Sequence, residues 1–423
     1  MEKRYIYVMI QNINFAEMVQ IMKIVEINSV KNGSTGNIMK NIANIARGQG
    51  HEVYTACAGN LYQRGLPTDH PEYHIYIGGI LENKMHKTAG TFWGNGGTYS
   101  RWGTYRFLEK LDKIQPDIIH IHNLHSNYIH IGMLFEYIKC RGIKVIWTLH
   151  DCWGFTGHCP YFDIVQCDKW KTQCFHCPQF KEYPESRRDD SEKMYSMKKK
   201  WFTGVENMVI VTPSQWLKEL VKLSFLREYS VQVIHNGIDL KVFTPLKSNF
   251  RERYGLKGKK IILGVAFGWG YKKGLDVFVE LAQKLDKNYQ IVLAGVNEET
   301  KRRLPDNILA IGFTNSQKEL AEIYSSADVF VNPTREENFP TTHLEALACG
   351  IPVITFNTGG AAESIDETCG IAIRKNDIDE LEKILKESWW ENIDKGACRK
   401  RAELFGAETA YQQYMLLMKK LME

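Results

Sequence analysis

Two carboxylates eight positions apart, Glu337 and Glu345, bracket a loop of small, hydroxyl-bearing and turn-forming residues. The residues that follow, 346–354, have the pattern of a short helix, a glycine stop at Gly350 and a buried strand. Free N–H groups at a helix start suit an anionic diphosphate, and nearby carboxylates can accept hydrogen bonds from sugar hydroxyls. The segment therefore predicts a nucleotide-sugar site, with Glu345 near the ribose and Glu337 facing the transferred sugar.

Each carboxylate also has a purely structural explanation. Thr342 and Glu345 spell T-x-x-E, a capping box in which both side chains satisfy backbone N–H groups of their own helix. Glu337 ends the charged run 335–337, which is compatible with an exposed loop acid. Pro340 fits a helix entrance under either interpretation.

Two further loops have residues suited to phosphate. Lys272 and Lys273 precede Gly274 at the predicted start of a helix, where a lysine can neutralise a leaving diphosphate. The alternative is a solvated helix start. Gly33 and Ser34 begin a glycine-bounded loop after the first strand, a pattern that also occurs in ordinary tight strand-to-helix turns.

Histidines cluster at the predicted ends of two strands. His120 and His122 stand at the end of one strand, His125 follows, and His150 and Asp151 end the next strand. Ligands of parallel sheets bind beyond the carboxyl ends of the strands, so these residues are candidates for a sugar or acceptor pocket. A lone histidine, in contrast, is most often a packing or surface residue. We favour His122 over His120 and His125.

Four cysteines lie within 19 residues: Cys159, Cys167, Cys174 and Cys177. Four sulfurs suit tetrahedral zinc, and Cys174 and Cys177 have the C-x2-C spacing of half a zinc knuckle. The first pair is separated more widely, by seven residues. A structural zinc is expected here, and the open alternatives are reduced free cysteines or a thioredoxin-like C-x2-C, although the latter lacks its usual βαβ position.

Composition is that of an ordinary globular protein long enough for two domains: 423 residues, 44% hydrophobic and 24% charged. Before Pro245 there are 29 basic and 23 acidic residues, and after it 25 and 26. The basic first half suggests an anionic partner such as a membrane surface, or only a solvated face. No apolar run approaches the ~20 residues of a membrane span, and residues 1–21 lack a signal-peptide core. We expect 1–21 to be an upstream extension or to result from a misplaced start codon, the protein to be cytoplasmic and its cysteines to be reduced.

Short apolar runs alternate with helical patterns twice along the chain, which predicts parallel sheets with helices on both faces. Residues 57–105 are rich in Gly, Tyr and Trp without a clear period, and are expected to form loops near the cleft. The expected domains are residues 22–242 with a cysteine-rich insertion at 152–180, residues 243–405, and a helical tail at 406–423.

The segment around Glu337 resembles the E-x7-E signature of family 4 retaining glycosyltransferases. The agreement extends through the following E-A-x-A-C-G-x-P-V-I and the run 359–363, and the segment 236–245 is similar to the family's interdomain linker. The resemblance covers about Met22 to Glu403. It implies an α/β protein of the GT-B fold, with two Rossmann-like domains facing across a cleft and the tail helix crossing back to the first.

The resemblance also implies roles for single residues. Glu337 and His122 would contact the donor sugar, Lys273 the leaving diphosphate and Glu345 the donor ribose. The loop of Gly33 and Ser34 would let the backbone approach the donor phosphate. The diphosphate would be held by the residues at the helix start, namely Phe339, Pro340, Thr341 and Thr342.

One departure concerns the phosphate cations. Many family members have an arginine six residues before Lys273, where this chain has Phe267. Either Lys272 substitutes for it, or the phosphate site has one cation fewer.

These observations predict a retaining glycosyltransferase that moves a hexosyl-type sugar from a nucleotide-diphosphate sugar to a surface-polysaccharide or lipid-linked glycan acceptor. The stretch 150–178 resembles a subgroup linked to bacterial exopolysaccharide and colanic-acid-type assembly. No metal is required for this chemistry, and a zinc would only order a loop beside the acceptor cleft. Expected partners are the donor, the glycan acceptor and, peripherally, the inner face of the membrane, with no nucleic acid.

Two alternatives from other classes stay open. A nucleotide-sugar 2-epimerase of the same fold would need a water-activating acid and no acceptor site. A non-catalytic nucleotide- or glycan-binding protein would bind the donor without turnover. A dinucleotide dehydrogenase is disfavoured because no G-x-G-x-x-G follows either first strand.

Overall fold

Thirteen short runs of the described chain, residues 20–423 of this computed structural model, form β-strands. Most of their side chains are buried, as expected where helices cover both faces of a sheet. The strands are β1 Lys23–Ile27, β2 Glu52–Ala58, β3 His74–Ile77, β4 Ile118–Ile121, β5 Lys144–Thr148, β6 Met208–Thr212, β7 Ser230–Val233, β8 Lys260–Val265, β9 Tyr289–Ala294, β10 Ile308–Ile311, β11 Val329–Asn332, β12 Val353–Phe356 and β13 Gly370–Ile373.

Helices and 3-10 turns connect the strands. The α-helices are α1 Gly33–Gly48, α2 Leu61–Gly65, α3 Ile80–Trp93, α4 Arg101–Ile114, α5 Ile131–Arg141, α6 Ser191–Phe202, α7 Gln215–Lys222, α8 Phe250–Arg253, α9 Leu275–Lys284, α10 Glu298–Lys301, α11 Gln317–Ser326, α12 Thr341–Ala348, α13 Ile378–Lys386, α14 Lys395–Glu403 and α15 Ala407–Met422. The 3-10 turns are Pro71–Tyr73, Trp153–Phe155, Lys169–Lys171, Tyr271–Lys273, Ala361–Ser364 and Trp389–Asn392.

The strands form two sheets. One has the order β3-β2-β1-β4-β5-β6-β7 and the other the order β10-β9-β8-β11-β12-β13. Neighbouring strands pair in parallel, and in the first sheet Ile27 of β1 lies beside Ala56 on one side and Ile121 on the other. The predicted parallel sheets are confirmed. In each sheet the strand order reverses next to the first strand, at β1–β4 and at β8–β11, and ligands of such folds bind at this switch point.

The last helix returns to the first sheet. Tyr411, Tyr414, Met415 and Met418 of α15 are no more than 2% exposed and join the core formed by α1 and β1. Full burial of side chains of this size contributes about 1.5–3 kcal/mol each. Helix α15 therefore packs against α1 and β1 of the first unit, while the domain division at 242 and 243 stays a prediction.

The prediction of loops for residues 57–105 was wrong. The segment contains α2, β3, α3 and the start of α4. Helix α3 has an inverted pattern, because it buries Asn83, His86 and Gly90 and exposes Leu81 and Met85. His86 lies 2.6 Å from the hydroxyl of Ser100 and accepts a hydrogen bond from the backbone of residue 97. Polar groups thus fix this helix, and an apolar periodicity could not reveal it.

The expected upstream extension, residues 1–21, lies outside the described residues except for its last two. Among the helices of residues 20–423, none combines the length and the apolar character needed to cross a bilayer.

Candidate active site

A cavity of about 550 Å³ lies where the two sheet units face each other. Gly33 and Ser34, at the start of α1, line it from the first unit, and Thr341 and Glu345 of α12 line it from the second. No side chain caps either helix. The structure therefore brings these four predicted residues together, and it directs two positive helix ends to one cavity.

The capping-box explanation for Glu345 was wrong. Helix α12 begins at Thr341, after Pro340, so Thr342 lies inside its first turn and caps nothing. The Glu345 carboxylate instead accepts a hydrogen bond from the hydroxyl of Tyr324, 2.9 Å away. Burial raises the pKa of Glu345 to about 7, although the Tyr324 hydrogen bond acts in the opposite direction. Glu345 is thus positioned by a neighbouring helix and is free to face the cavity.

Glu337 and Lys273 form an ion pair, with 2.8 Å between the carboxylate oxygen and Nζ. The other Glu337 oxygen accepts from the backbone N–H of Asn338 at 3.1 Å. Burial by itself would raise the pKa of Glu337, but the charge of Lys273 and its hydrogen bond lower it overall. Glu337 is therefore an ionised acceptor at the strand ends, and its cation comes from the predicted phosphate-binding loop.

Glycines allow these loops to approach closely. A Cβ on Gly359 would lie 1.7 Å from the carbonyl oxygen of Glu337, and one on Gly360 would lie 2.3 Å from that of Asn338. Gly274 has φ +71°, and a Cβ there would meet the carbonyl of Pro333 at 2.4 Å. Small residues at these points let both loops pack together, since any side chain would displace the backbone.

Sequence reasoning missed Arg335, which fastens the lysine loop. Its guanidinium makes two 2.7 Å bonds to the carboxylate of Asp276 and donates to the carbonyl of Tyr271 at 2.6 Å. It also lies 3.9 Å from the centroid of the Tyr271 ring. At 4% exposure it is no surface residue, and its position two residues before Glu337 was the available signal.

Lys272 lies further out, and so does Phe267, which stands where many family members have an arginine. Lys272 Nζ is 3.3 Å from a carboxylate oxygen of Glu336, which is 4% exposed. Phe267 is 89% exposed and lies beside Phe313, with 5.2 Å between ring centroids. The position that has an arginine in many family members is therefore open to solvent.

Three of the candidate histidines, His120, His122 and His150, form one stack. The stack includes Glu26, an acid that sequence reasoning missed. Glu26 of β1 lies 3.1 Å from His120 Nδ1 and 3.0 Å from His122 Nε2. His122 Nδ1 is 2.9 Å from His150 Nε2. His122 is 1% exposed, so His150 is the outer member of the stack. A charged residue among the apolar residues 24–27 of β1 was the signal that could have revealed Glu26.

Asp151 is engaged elsewhere. Its carboxylate lies 3.1 Å from His125 Nε2 and accepts from the backbone of Trp153 at 2.8 Å. Asn338 donates to the backbone carbonyl of His150 at 2.9 Å, so His150 lies at the seam between the units. Of the two predicted pocket residues, His150 is beside the Glu337 loop and Asp151 belongs to a neighbouring pair.

The two units are held together by polar contacts around this seam. The Ser214 hydroxyl donates to Asn338 at 2.5 Å. Glu363 accepts from the backbone N–H groups of Gln215 and Trp216, at 2.7 and 2.8 Å, and so caps α7 from the other unit. These hydrogen bonds join the two units beside the Glu337 loop.

The four cysteines line one small cavity. The backbone N–H of Gly157 donates to the Cys174 sulfur at 3.2 Å, and the buried Nε2 of His158, beside the same cavity, has no partner within residues 20–423. However, within those residues the one set of three or more ligating groups whose donor atoms lie within 4.8 Å of each other is Glu26, His120 and His122. The thiols therefore have the donor chemistry for zinc, but no three of their sulfur atoms lie within 4.8 Å of one another.

Comparisons with known proteins agree with this geometry. The family described as Glycosyltransferase Family 4 matches residues 35–242, and the family described as Glycosyl transferases group 1 matches residues 247–403. A protein of Escherichia coli K12 named WcaC, assigned to colanic acid biosynthesis as a glycosyl transferase, is 25% identical over 282 residues, which are 64% of this chain and 67% of that protein.

Solved structures show the same fold. Sucrose-phosphate synthase from Thermosynechococcus elongatus superposes with a TM-score of 0.70 at 18% identity, covering 95% of this chain and 99% of that one. Anabaena HepE in complex with UDP-glucose gives 0.65 at 13% identity, covering 94% and 100%. The chain therefore belongs to the group 1 glycosyltransferases of family 4 and has the GT-B fold. The epimerase and non-catalytic alternatives receive no support.

Proposed function

We propose that this glycosyltransferase moves a hexosyl-type sugar, with retention, from a nucleotide-diphosphate sugar to a surface-polysaccharide or lipid-linked glycan. The observation that carries the proposal is the cavity in which the uncapped starts of α1 and α12 meet Glu345. Two helix ends favour a diphosphate, and a carboxylate beside them suits a ribose diol. The names of WcaC and of the HepE–UDP-glucose complex support the same substrate classes.

The residues can divide the reaction between them. Lys273 neutralises Glu337 across 2.8 Å. A bound diphosphate competes for Lys273, which leaves Glu337 free to accept from a hydroxyl of the transferred sugar. The lysine and the two helix ends then stabilise the charge that develops on the leaving diphosphate.

Bond changes occur on one face of the sugar. The acceptor hydroxyl oxygen forms the new bond to the anomeric carbon as the bond from that carbon to the diphosphate oxygen breaks. The departing oxygen takes the hydroxyl proton. Glu337 is not assigned as a covalent nucleophile, since Lys273 and the backbone of Asn338 hold its two oxygens.

The donor is tested by thermal shift with UDP, GDP, ADP and their sugars. We expect one nucleotide and its sugars to raise the melting temperature, and Glu345→Gln to weaken this shift. If none stabilises the protein, the donor site is refuted. Incubation with the stabilising nucleotide sugar alone tests the epimerase alternative, which requires the epimer to accumulate without an acceptor.

A membrane partner is supported by the outer face of α3 and α4. Leu81, Met85, Trp93 and Trp102 are 63–75% exposed there. Lys84, Lys87 and Arg101 stand between them in the sequence, and Arg106 follows Trp102. Exposed apolar side chains among cations suit an anionic bilayer, where the apolar groups insert and the cations meet the headgroups.

Vesicle sedimentation tests this face. We expect binding to vesicles with phosphatidylglycerol, weaker binding to pure phosphatidylcholine, and loss of binding in Leu81→Ser/Met85→Ser/Trp93→Ser. The control is Leu404→Ser/Leu416→Ser, which removes two leucines that are each 67% exposed elsewhere. Equal binding by both variants would refute the assignment.

The cysteine cluster is the second cofactor proposal. Rotation of the cysteine side chains about Cα–Cβ would bring sulfurs that already share one cavity to a zinc ion. Such an ion would fix the segment 152–180 and take no part in sugar transfer. We expect one zinc per chain by metal analysis and its loss in Cys177→Ser. Cys140→Ser changes an exposed cysteine and is the matched control; zinc well below one per chain in the wild type would refute the site.

A further inference from the structure

Glu26 is a carboxylate at the centre of the first sheet, and it is 0% exposed. Both of its oxygens contact imidazoles: Oε1 lies 3.1 Å from His120 Nδ1, and Oε2 lies 3.0 Å from His122 Nε2. Burial alone would raise the pKa of Glu26, but the two histidines bring it down to about 2. The side chain is therefore an ionised acceptor, and a buried charge of this kind is stable only while its partners stay in place.

The acceptor at Glu26 determines which nitrogen of His122 has the proton. An ionised carboxylate can only accept, so His122 donates from Nε2. Burial and the neighbouring His120 lower the pKa of His122 to about 4, so the ring is neutral near pH 7. Its Nδ1 is then a bare acceptor, and it receives the Nε2–H of His150 at 2.9 Å. The two rings are nearly parallel, with 9° between their planes.

The same reasoning applies to His150. Burial and the adjacent His122 lower its pKa well below the ordinary value, so it has one ring proton, which is donated from Nε2. His150 Nδ1 is then unprotonated. Within residues 20–423 it has no hydrogen-bond partner, and it is not completely buried. This acceptor nitrogen belongs to a residue beside the Glu337 loop, since Asn338 donates to the backbone carbonyl of His150.

A metal site is the competing explanation for Glu26, His120 and His122, since their donor atoms cluster within 4.8 Å. All three side chains are at most 1% exposed, and the facing atoms already satisfy one another at 2.9–3.1 Å. An ion would have to break these hydrogen bonds in a packed interior. The outward chain of donors and acceptors favours a hydrogen-bond relay.

We propose that Glu26 is a positioning residue that acts through His122 to hold His150 Nδ1 as a hydrogen-bond acceptor for a sugar hydroxyl in the cleft. The inference rests on the proposed function, because it requires a sugar beside Glu337. The hydroxyl belongs either to the transferred sugar or to the acceptor glycan. His150 is the group that touches it, and Glu26 and His122 never do.

The proposed relay predicts different losses of activity for two substitutions of His150. Gln places its amide near the position of a histidine Nε2, and Asn near that of Nδ1. His150→Gln therefore keeps a donor for His122 and loses the sugar acceptor, whereas His150→Asn keeps an acceptor oxygen at the cleft. We expect kcat/KM to fall about tenfold more in His150→Gln than in His150→Asn, the effect of one hydrogen bond.

Glu26→Gln tests the buried end of the hydrogen-bond relay. Glutamine is isosteric but offers one acceptor and one donor, so it no longer forces His122 to donate from Nε2. We expect the long-range ¹H–¹⁵N spectrum to show that wild-type His122 and His150 have Nε2–H and that this pattern is lost in Glu26→Gln. The control is His51→Asn, because His51 is a buried histidine bonded to the backbone of Met22, at the other end of β1.

Binding measurements separate this inference from the proposed function. The probes are UDP with UDP-glucose and GDP with GDP-mannose. Suppose first that the hydroxyl is on the donor. For the pair that wild type binds, we then expect Glu26→Gln and His150→Gln to weaken binding of the nucleotide sugar about tenfold and binding of the nucleotide less than twofold. If it is on the acceptor, only the acceptor KM rises.

Several results would overturn the proposal. Wild-type kcat/KM and spectra in Glu26→Gln, or equal losses in His150→Gln and His150→Asn, would refute the relay alone. If wild type binds neither of these pairs nor ADP with its sugars, the proposed donor class and the relay are both refuted. Zinc or manganese bound stoichiometrically by wild type and lost in Glu26→Gln would establish the metal explanation instead.

Discussion

The ion pair between Lys273 and Glu337 yields the most informative prediction, because its two charges have different roles in stability and in catalysis. The pair spans 2.8 Å, with the lysine 36% and the glutamate 16% exposed. Lys273→Met leaves the carboxylate with only the backbone N–H of Asn338. Removing one partner of a fully buried pair costs about 3–5 kcal/mol. Because this lysine is partly solvated, we expect a loss of about 1–2 kcal/mol.

Glu337→Gln has a smaller expected effect on stability, since the freed lysine can reach water. In the double variant no unpaired carboxylate remains, so its stability should recover to near that of Glu337→Gln. Activity should not recover. Lys273→Met removes a cation from the leaving diphosphate and should lower kcat/KM about 10²–10³-fold, and the double variant should be at least as impaired. If the two substitutions compensate each other in the free energy of unfolding but not in kcat/KM, the ion pair has a catalytic role as well as a structural one.

Thermal unfolding and steady-state kinetics measure the two effects. For a unit of about 150–250 residues, 1 kcal/mol corresponds to about 2–4 °C in Tm. The control is Lys284→Met, which removes a lysine paired with Glu280 and Asp379 on the surface and should leave kcat/KM unchanged. A wild-type Tm in Lys273→Met, or a double variant no more stable than Lys273→Met, would refute the reasoning.

Three other predictions follow from single residues. The pKa of Glu345 is raised from 4.5 to about 7, so stability should fall by about 3 kcal/mol as pH rises through that window, and Glu345→Gln should flatten this dependence of Tm; a wild-type Tm independent of pH there would contradict it. Phe267→Arg should tighten nucleotide binding about tenfold in calorimetry without a change in Tm, because Phe267 is 89% exposed; unchanged affinity would mean that this position does not reach the phosphate. Gly359→Ala should lose activity and several degrees of Tm, because its Cβ would meet the carbonyl of Glu337, whereas Gly48→Ala has open space and should retain both; similar behaviour of the two variants would count against the packing argument.

Much of the fold was predictable because its signals are local. Most strands of the first sheet are short apolar runs between helical patterns. The segment from Glu337 to Gly350 likewise has its loop, helix and glycine stop in consecutive positions. Helix α3 escaped prediction because its buried face is polar and its contacts, such as His86 with Ser100, become visible only in the folded chain.

Sequence alone therefore determined the fold class, the family and the segment around Glu337, since periodicity and motif spacing depend on neighbours along the chain. Tertiary structure decided which groups meet. It paired Lys273 with Glu337, gave Glu345 to Tyr324 rather than to its own helix, and joined Glu26 to His122 across 96 positions. Such contacts depend on strand order and helix packing, and a linear pattern does not encode the protonation states that they impose.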